Sequence, residues 1–214
     1  MSAILYDYWR STASYRVRIA LNLAGIAYRS VPIDLIGGEQ SGPDHLARNP
    51  QGFVPVFEID GLRLTQSLAI IEYLDETRGL GLLPANPAER ARVRRLSLTI
   101  AADTHPICNP SVVKVVLGRL PGDTRDEARV DWMRHFIRRG LMAFEAMLGE
   151  PPTGRFCHGD TPTLADLCLI PQIYNADRWG AGWSDLPRIQ AVADAAGEIG
   201  AFRAASPEAV NQTG

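Results

Sequence analysis

The chain has 214 residues, of which 46% are hydrophobic and 21% charged, and its 22 basic and 24 acidic side chains leave a formal net charge of −2. This composition is that of a folded globular protein and excludes collagen-like and disordered chains. The balanced charge argues against a nucleic-acid-binding protein, which normally carries a strongly basic surface. The length fits one large domain or two small ones, and either can enclose a sizeable core.

The chain has three cysteines, Cys108, Cys157 and Cys168, and no C-x-x-C pair. This number and spacing support neither a disulfide framework nor a zinc site, and we therefore expect a reducing, cytoplasmic location and no bound metal. The N-terminus shows no basic region followed by an apolar run, and no apolar stretch approaches the roughly 20 residues of a membrane span. We therefore expect no membrane attachment.

The first part of the chain alternates strand and helix patterns. Ile4–Tyr8 and Tyr28–Ile33 are predicted strands, and Ser14–Leu23 between them is a predicted helix because its apolar residues recur at helical spacing. A strand, a helix and a strand in about 30 residues have the size of a right-handed parallel crossover unit.

A hairpin and a helix are predicted next. The strands Val56–Ile59 and Leu62–Leu64 flank the turn Asp60-Gly61, and Ser67–Glu76 is a helix with Ser67 as its predicted N-cap. The order βαβ followed by ββα predicts a four-stranded mixed sheet with helices.

The stretch Gly79–Pro87, which reads G-L-G-L-L-P-A-N-P, breaks periodic structure and marks a domain boundary. Beyond it nearly all signals are helical. The predicted helices are Ala88–Leu117 with interruptions near Pro106 and Pro110, Asp123–Leu148, Thr163–Ala176 with a capping box of Thr163 and Asp166 and a kink at Pro171, and Pro187–Phe202.

Hydroxyl side chains mark the junction between the first strand and the first helix, where Arg10 precedes Ser11, Thr12 and Ser14. Hydroxyls at this place lie beside free backbone N–H groups and the positive end of the helix dipole. Such a place stabilises an anion, including a thiolate. Taken alone, plain N-capping explains these residues as well.

Two more junctions between elements contain residues that could bind parts of a ligand. The Val54-Pro55 step before the hairpin is a candidate cis peptide, whose neighbouring backbone groups can face an extended peptide, although a trans proline explains it alone. Gln66-Ser67 opens a helix whose N-terminus could hold a carboxylate, although capping alone also accounts for it. In a βαβ–ββα layout all three junctions lie at one edge of the sheet. Together they offer the thiolate site, backbone clamp and carboxylate site that γ-Glu-Cys-Gly, glutathione, requires.

Several stretches are, as a set, specific to one family. They are Arg10–Leu21, Asn49–Pro55, Gln66–Leu74, Asp103–Ile107, Gly159–Asp166 and Leu169–Gln172. With them, nearly the whole chain resembles the zeta-class glutathione transferases, the group that includes maleylacetoacetate and maleylpyruvate isomerases. The resemblance implies an α+β, thioredoxin-like glutathione-binding domain over 1–80, a linker over 81–87 and an all-helical substrate-binding domain over 88–214. This is the cytosolic glutathione transferase architecture, and it implies a homodimer.

The resemblance assigns roles within the first domain. It implies that Ser11 donates a hydrogen bond to the glutathione sulfur in a catalytic loop shared with Arg10, Thr12 and Ser14. Val54 would pair with the cysteinyl backbone. The γ-glutamyl end would be held by Gln66 and Ser67.

From the helical domain, His105 and Asn109 would reach glutathione or substrate. Arg10 and Arg178 match positions that hold substrate carboxylates in the maleylpyruvate type, and His105 would contribute to that same site. A planar guanidinium suits a dicarboxylate better than a lysine does.

Three features depart from the family pattern. Ala13 stands where the family has a cysteine, Phe53 stands where members often have glutamine, and Pro110 and Ser111 stand where the maleylpyruvate type has an arginine after the His-Pro segment. Three histidines lack the spacing of metal ligands and are expected to be structural or exposed: His45, His135 and His158.

The function implied is isomerisation of a maleyl keto acid to its fumaryl product by reversible addition of the glutathione thiolate. Two alternatives remain open. A transferase that conjugates glutathione to haloacids or other small electrophiles would use the same glutathione site. A non-catalytic binding module could also use this fold, since fold alone does not guarantee activity.

Overall fold

The computed structural model describes residues 3–211, which form two compact units. The first unit comprises the chain up to Leu82 together with the C-terminal segment from Ile199, and the second runs from Leu83 to Glu198. The division after Leu82 lies within the expected linker. The C-terminal segment, in contrast, was expected to be part of the helical domain over 88–214.

The described part of the first unit contains a small sheet, five α-helices and one 3₁₀ turn. Its elements are β1 (Ala3–Asp7), α1 (Thr12–Leu23), β2 (Tyr28–Pro32), a 3₁₀ turn (Glu39–Ser41), α2 (Pro43–Leu46), β3 (Val56–Ile59), β4 (Leu62–Thr65), α3 (Ser67–Arg78) and, after the second unit, α9 (Gly200–Ala204) and α10 (Pro207–Val210).

The sheet has the order β2-β1-β3-β4. Strands β1 and β2 are parallel, whereas β1 and β3, and β3 and β4, are antiparallel. The predicted mixed sheet, crossover unit and hairpin are therefore confirmed. At the hairpin turn Asp60 and Gly61 both have positive φ, 53° and 79°, as the tight turn between two twisted strands requires.

Two helix starts differ from the prediction. Helix α1 begins at Thr12, two residues early, because the Ser11 side chain caps it and accepts a hydrogen bond from the Ser14 N–H at 3.2 Å. Helix α3 has Gln66 as its N-cap and not Ser67, and Gln66 takes φ = 68°.

The C-terminal segment belongs to the first unit because side chains of α1 donate hydrogen bonds to its backbone carbonyl groups. The last carbonyls of a helix have no partner within that helix. Three side chains of α1 donate hydrogen bonds to carbonyls of this segment: Tyr15 to Phe202 (3.3 Å), Arg18 to Ala205 (3.0 Å) and Asn22 to Ala201 (3.1 Å).

The second unit is helical, apart from one isolated bridge between Thr153 and Gly159. Its elements are α4 (Pro87–Leu98), a π-helical segment (Thr99–Thr104), α5 (Pro110–Leu117), a 3₁₀ turn (Gly122–Thr124), α6 (Arg125–Met147), α7 (Leu164–Trp179) and α8 (Pro187–Gly197). The expected break before Pro110 is present. Helix α7 continues through Pro171, and the helix expected to reach Phe202 ends at Gly197.

The capping box predicted at the start of α7 is present. Asp166 is fully buried and accepts hydrogen bonds from the backbone N–H groups of Thr163 (2.7 Å) and Cys157 (2.9 Å). Asp166 thus joins the helix start to the preceding loop. No helix in the described part of the chain is long and apolar enough to cross a membrane.

Candidate functional site

Three loops leave the sheet of the first unit at a single edge. Tyr6 near the end of β1 pairs with Val56 at the start of β3, and Val56 pairs with Thr65 at the end of β4. The segments 8–11, 54–55 and 66–67 therefore leave the sheet together at that edge. This is the arrangement that the junction motifs predict.

Ser11 lies at the N-terminus of α1 and is half-buried. Its oxygen accepts the Ser14 N–H, so the Ser11 hydroxyl proton stays available for an acceptor outside the helix. The partial positive charge of the helix N-terminus favours an anionic acceptor. Ser11 can therefore donate a hydrogen bond to a thiolate.

The neighbouring hydroxyls are less accessible. Thr12 is buried, and Ser14 is 0% exposed with an enclosed hydroxyl oxygen that has no hydrogen-bond partner. Their burial weighs against direct contact of either hydroxyl with a ligand. The backbone N–H of Ser14 instead orients Ser11.

Arg10 presents a charged group beside this helix start. Its guanidinium carbon lies 4.2 Å from the centroid of the Trp9 ring, a cation–π contact. Its Nε is buried and has no hydrogen-bond partner. A buried donor without a partner is costly, and an anion bound next to it would remove that cost.

The Val54-Pro55 peptide bond is cis, as the motif suggested it could be. Pro55 is buried and Val54 half-buried. Among the described hydrogen bonds none uses the Val54 N–H. This N–H is a free backbone donor at the same edge of the sheet.

Gln66 and Ser67 differ in their surroundings. Gln66 is exposed, and its Nε2 donates to Oε1 of Gln51 at 2.8 Å, which joins this turn to the loop before Val54. Ser67 is buried, and its hydroxyl oxygen accepts a hydrogen bond from the Arg16 guanidinium at 3.3 Å. The first N–H groups of α3 add donors at this point.

Two buried arginines of α1 support the site and were not singled out from the sequence. Arg16 and Arg18 are 2% and 1% exposed. Arg18 forms an ion pair with Asp7 at 2.8 Å and donates to the Trp9 carbonyl at 2.9 Å, which fixes the backbone just before Arg10. A sequence pattern could not reveal this, because arginine is almost always exposed unless paired.

Two of the residues expected in the helical domain lie close together in the second unit. His105 follows the π-helical segment, is half-buried, and its N–H donates to the Ile100 carbonyl at 2.8 Å. Asn109 is the N-cap of α5, where its Oδ1 accepts from the backbone N–H (3.0 Å) and the hydroxyl (2.7 Å) of Ser111. This capping role occupies the Asn109 oxygen, so a role in binding would fall to its side-chain N–H groups, which none of the described hydrogen bonds uses.

Arg178 lies in the last turn of α7 and is exposed. Its guanidinium carbon is 5.1 Å from the centroid of the Trp179 ring. A guanidinium that stacks on an aromatic ring can also make paired hydrogen bonds to a carboxylate.

No group of three or more His, Cys, Asp or Glu residues that could hold a metal ion is found within residues 3–211. The three cysteines are buried and form no disulfide. Burial raises the pKa of Cys108 to about 11 and that of Cys157 well above its ordinary value, so neither is a thiolate near neutral pH.

Comparisons with known proteins agree with this architecture. Residues 1–76 match the family model "Glutathione S-transferase, N-terminal domain", and residues 125–195 match "Glutathione S-transferase, C-terminal domain". The chain is 59% identical over 207 residues to the maleylacetoacetate isomerase of Rhizobium meliloti, which covers 96% of each chain.

Two solved structures are also similar over nearly their whole length. One is a holo maleylpyruvate isomerase, described as a bacterial glutathione S-transferase of the zeta class, with a TM-score of 0.91, 39% identity and coverage of 99% of this chain and 100% of that one. The other is the maleylacetoacetate isomerase of Methylobacterium extorquens AM1 with bound malonate and glutathione, with a TM-score of 0.90, 44% identity and coverage of 96% and 97%.

The thioredoxin-like unit and the helical unit together define the architecture of a glutathione transferase. The similarity extends beyond the fold to the amino-acid sequence, which is 59% identical to that of a maleylacetoacetate isomerase. The chain belongs to the zeta class of the glutathione S-transferase family, in the group of maleylacetoacetate and maleylpyruvate isomerases.

Proposed function

We propose that this protein is a glutathione-dependent cis–trans isomerase that converts a maleyl keto acid, maleylacetoacetate or maleylpyruvate, to the fumaryl product. The observation that carries the proposal is the free Ser11 hydroxyl at the N-terminus of α1, on the same sheet edge as the Val54 N–H and the start of α3. The 59% identity to an isomerase supports the choice of reaction.

The donors at this edge fit glutathione. The Val54 N–H is free to pair with a peptide carbonyl, and the N-terminus of α3, with Gln66 and Ser67, suits the γ-glutamyl carboxylate. Ser11 offers a hydroxyl proton to the sulfur. A thiol, a peptide backbone and a carboxylate each find a complementary group in the first unit.

Bound glutathione supplies the thiol that adds reversibly to the substrate's double bond, so that the bond can rotate before the thiol is released. The protein must keep this thiol ionised. A thiol with a pKa near 8.5 is only a few per cent ionised at neutral pH, and lowering the pKa by two units takes about 2.7 kcal/mol. A charge-assisted hydrogen bond from Ser11 together with the end of α1 can supply that amount.

Negative charge develops on the keto oxygen of the substrate during the reaction, and N–H or guanidinium donors stabilise it. Arg10 is placed for this work, because its Nε is buried without a partner beside Ser11. We assign to Arg178 the binding of a substrate carboxylate and to His105 a supporting role in binding. Ala13 in place of a cysteine is tolerable, since glutathione itself brings the thiol.

The proposal also includes a homodimer and a cytoplasmic location. The three buried cysteines form no disulfide, which supports the second part, because thiols stay reduced in a reducing compartment. Sedimentation of the purified protein would test the first.

The experiment that tests the function offers maleylacetoacetate and maleylpyruvate to the protein, with and without a catalytic amount of glutathione. The absorption spectrum and the free thiol are followed together. Conversion to the fumaryl product with no loss of thiol is expected. Loss of thiol with haloacids or aromatic electrophiles, and no isomerisation, would instead show a conjugating transferase.

A further inference from the structure

A buried pair of side chains holds the loop that leads into Val54. His45 in α2 is 1% exposed and its Nε2 lies 3.0 Å from the Phe53 carbonyl oxygen. Asn49 is 3% exposed and its Nδ2 donates to the same oxygen at 2.9 Å. A carbonyl oxygen has two lone pairs, and here both receive a buried donor.

The contact with Phe53 determines which role Nε2 of the His45 ring takes. Because a carbonyl oxygen only accepts, Nε2 must carry a proton and donate it to Phe53. Nδ1 is buried and has no hydrogen-bond partner. The hydrogen bond that the structure shows for the buried His45 ring is therefore the one to the Phe53 carbonyl.

Asn49 holds the other end of the same loop. Its Oδ1 accepts the Gln51 N–H at 3.1 Å, and its backbone carbonyl accepts the Gly52 N–H at 2.9 Å. Gly52 has φ = +65°, and a side chain there would press on the Gln40 carbonyl. The loop from Gln51 to Phe53 is therefore set by one buried amide and the histidine.

The orientation of the Phe53 carbonyl fixes the orientation of the next N–H. The Phe53-Val54 peptide is trans, and in a planar trans peptide the C=O and N–H point in opposite directions. The carbonyl points inward to His45 and Asn49, so the Val54 N–H points away from them. This N–H is the donor that no described hydrogen bond uses.

We propose that His45 and Asn49 are positioning residues for glutathione: by anchoring the Phe53 carbonyl from inside, they present the Val54 N–H to the cysteinyl backbone of the ligand. This inference rests on the proposed function for the identity of the ligand. It concerns binding of glutathione and not the chemical step. Phe53 itself contributes only its carbonyl, which agrees with its 40% exposed side chain.

The test compares four variants of the full chain by titration calorimetry with glutathione. His45→Phe removes one donor and keeps the ring, His45→Gln restores an N–H donor, and Asn49→Asp removes the other donor while keeping the acceptor for Gln51. His135→Phe, at an exposed histidine of α6, is the matched control. Thermal melting checks that each variant is folded. If His45→Phe does not fold, Asn49→Asp still tests the hydrogen bonding of the Phe53 carbonyl.

Loss of one of the two hydrogen bonds is expected to raise the Kd for glutathione by about 2- to 12-fold in His45→Phe, with partial rescue in His45→Gln. The kcat at saturating glutathione stays within about twofold, and His135→Phe binds like the wild type. In ¹⁵N spectra, glutathione protects the Val54 amide from solvent exchange in the wild type and protects it less in His45→Phe.

An unchanged Kd in folded His45→Phe and Asn49→Asp overturns the inference, and so does a fall in kcat with Kd unchanged. A wild-type protein that binds glutathione but isomerises neither keto acid contradicts the proposed function alone. A wild-type protein that does not bind glutathione overturns both, and that result is seen before any variant is compared.

Discussion

Replacement of Ser11 by alanine tests the centre of the proposed mechanism, because Ser11 has two separable tasks. Its oxygen caps α1 through the Ser14 N–H at 3.2 Å, and its hydroxyl proton is available to a bound thiolate. Loss of the cap lowers the free energy of unfolding by about 1 kcal/mol. Ser206 caps α10 in the same unit by an equivalent contact, Oγ to the Ala209 N–H at 3.2 Å, so Ser206→Ala is a matched control for the capping cost.

The loss of the hydroxyl proton has a different effect. A hydrogen bond to a charged group contributes about 1.5–3 kcal/mol, and each pKa unit corresponds to about 1.36 kcal/mol. Without this bond the pKa of the bound glutathione thiol rises by about one to two units. Activity of Ser11→Ala near pH 7 is therefore expected to fall about 3- to 25-fold, because the thiolate fraction drops when the thiol pKa moves from about 6.5 to about 7.5–8.5, and to recover as the pH approaches 9.5, where the thiol ionises unaided.

The assay measures kcat for isomerisation of the keto acid from pH 6 to 9.5 at saturating glutathione. Ser11→Thr, which keeps both the cap and the hydroxyl, is expected to retain a wild-type profile within a few-fold. Ser206→Ala is expected to melt earlier with unchanged kcat. A loss in Ser11→Ala that is equally large at every pH, or no loss at all, would refute the assignment of Ser11 as the thiolate donor.

Three further predictions concern the second unit. Gly140→Ala in α6 is expected to lower the free energy of unfolding by about 1–3 kcal/mol, although alanine favours helices, because the added methyl group would clash with Thr104. At the exposed Gly122 an added methyl group meets open space, so Gly122→Ala should change the free energy of unfolding by at most about 0.5 kcal/mol. Equal melting temperatures of the two variants would contradict this reasoning. Burial raises the pKa of Cys108 to about 11, so only about one molecule in a thousand carries a thiolate there at pH 8. The rate of Cys108 alkylation by iodoacetamide should therefore be low and should rise about tenfold per pH unit up to pH 10. A rate that reaches a plateau near pH 9 would show an ordinary thiol. Arg178→Ala is expected to raise the KM for the keto acid with kcat nearly unchanged, as steady-state kinetics would show, and a fall in kcat with KM constant would place Arg178 in the chemical step and not in binding.

Local signals explain why much of the fold could be predicted. The turn at Asp60-Gly61, the Pro/Gly-rich stretch before α4 and the capping box of Thr163 with Asp166 each involve residues close in sequence. Their hydrogen bonds form within one turn or one hairpin, so residue type and spacing are enough to predict them. The edge that gathers the three loops follows from the same strand order.

The residues predicted for the site differ in how accessible their polar groups are. Ser11 and Val54 have the accessible groups that their roles need. Ser14, however, is enclosed, and Asn109 spends its acceptor on capping α5. Residue type indicated a polar site, but burial decides which of these polar atoms a ligand could reach, and burial is a property of the packed chain.

The sequence by itself determined the order of the elements, the mixed sheet and the junctions that gather at its edge, because short-range turns and periodic apolar faces control them. Only the tertiary structure decided that the segment from Ile199 belongs to the first unit and that Arg18 is buried. Arg18 bonds to Asp7, Trp9 and, 187 residues along the chain, the Ala205 carbonyl. A buried guanidinium is stable only when it is paired and hydrogen-bonded. Because one of these partners lies far away in the sequence, no local sequence pattern could predict that Arg18 is buried.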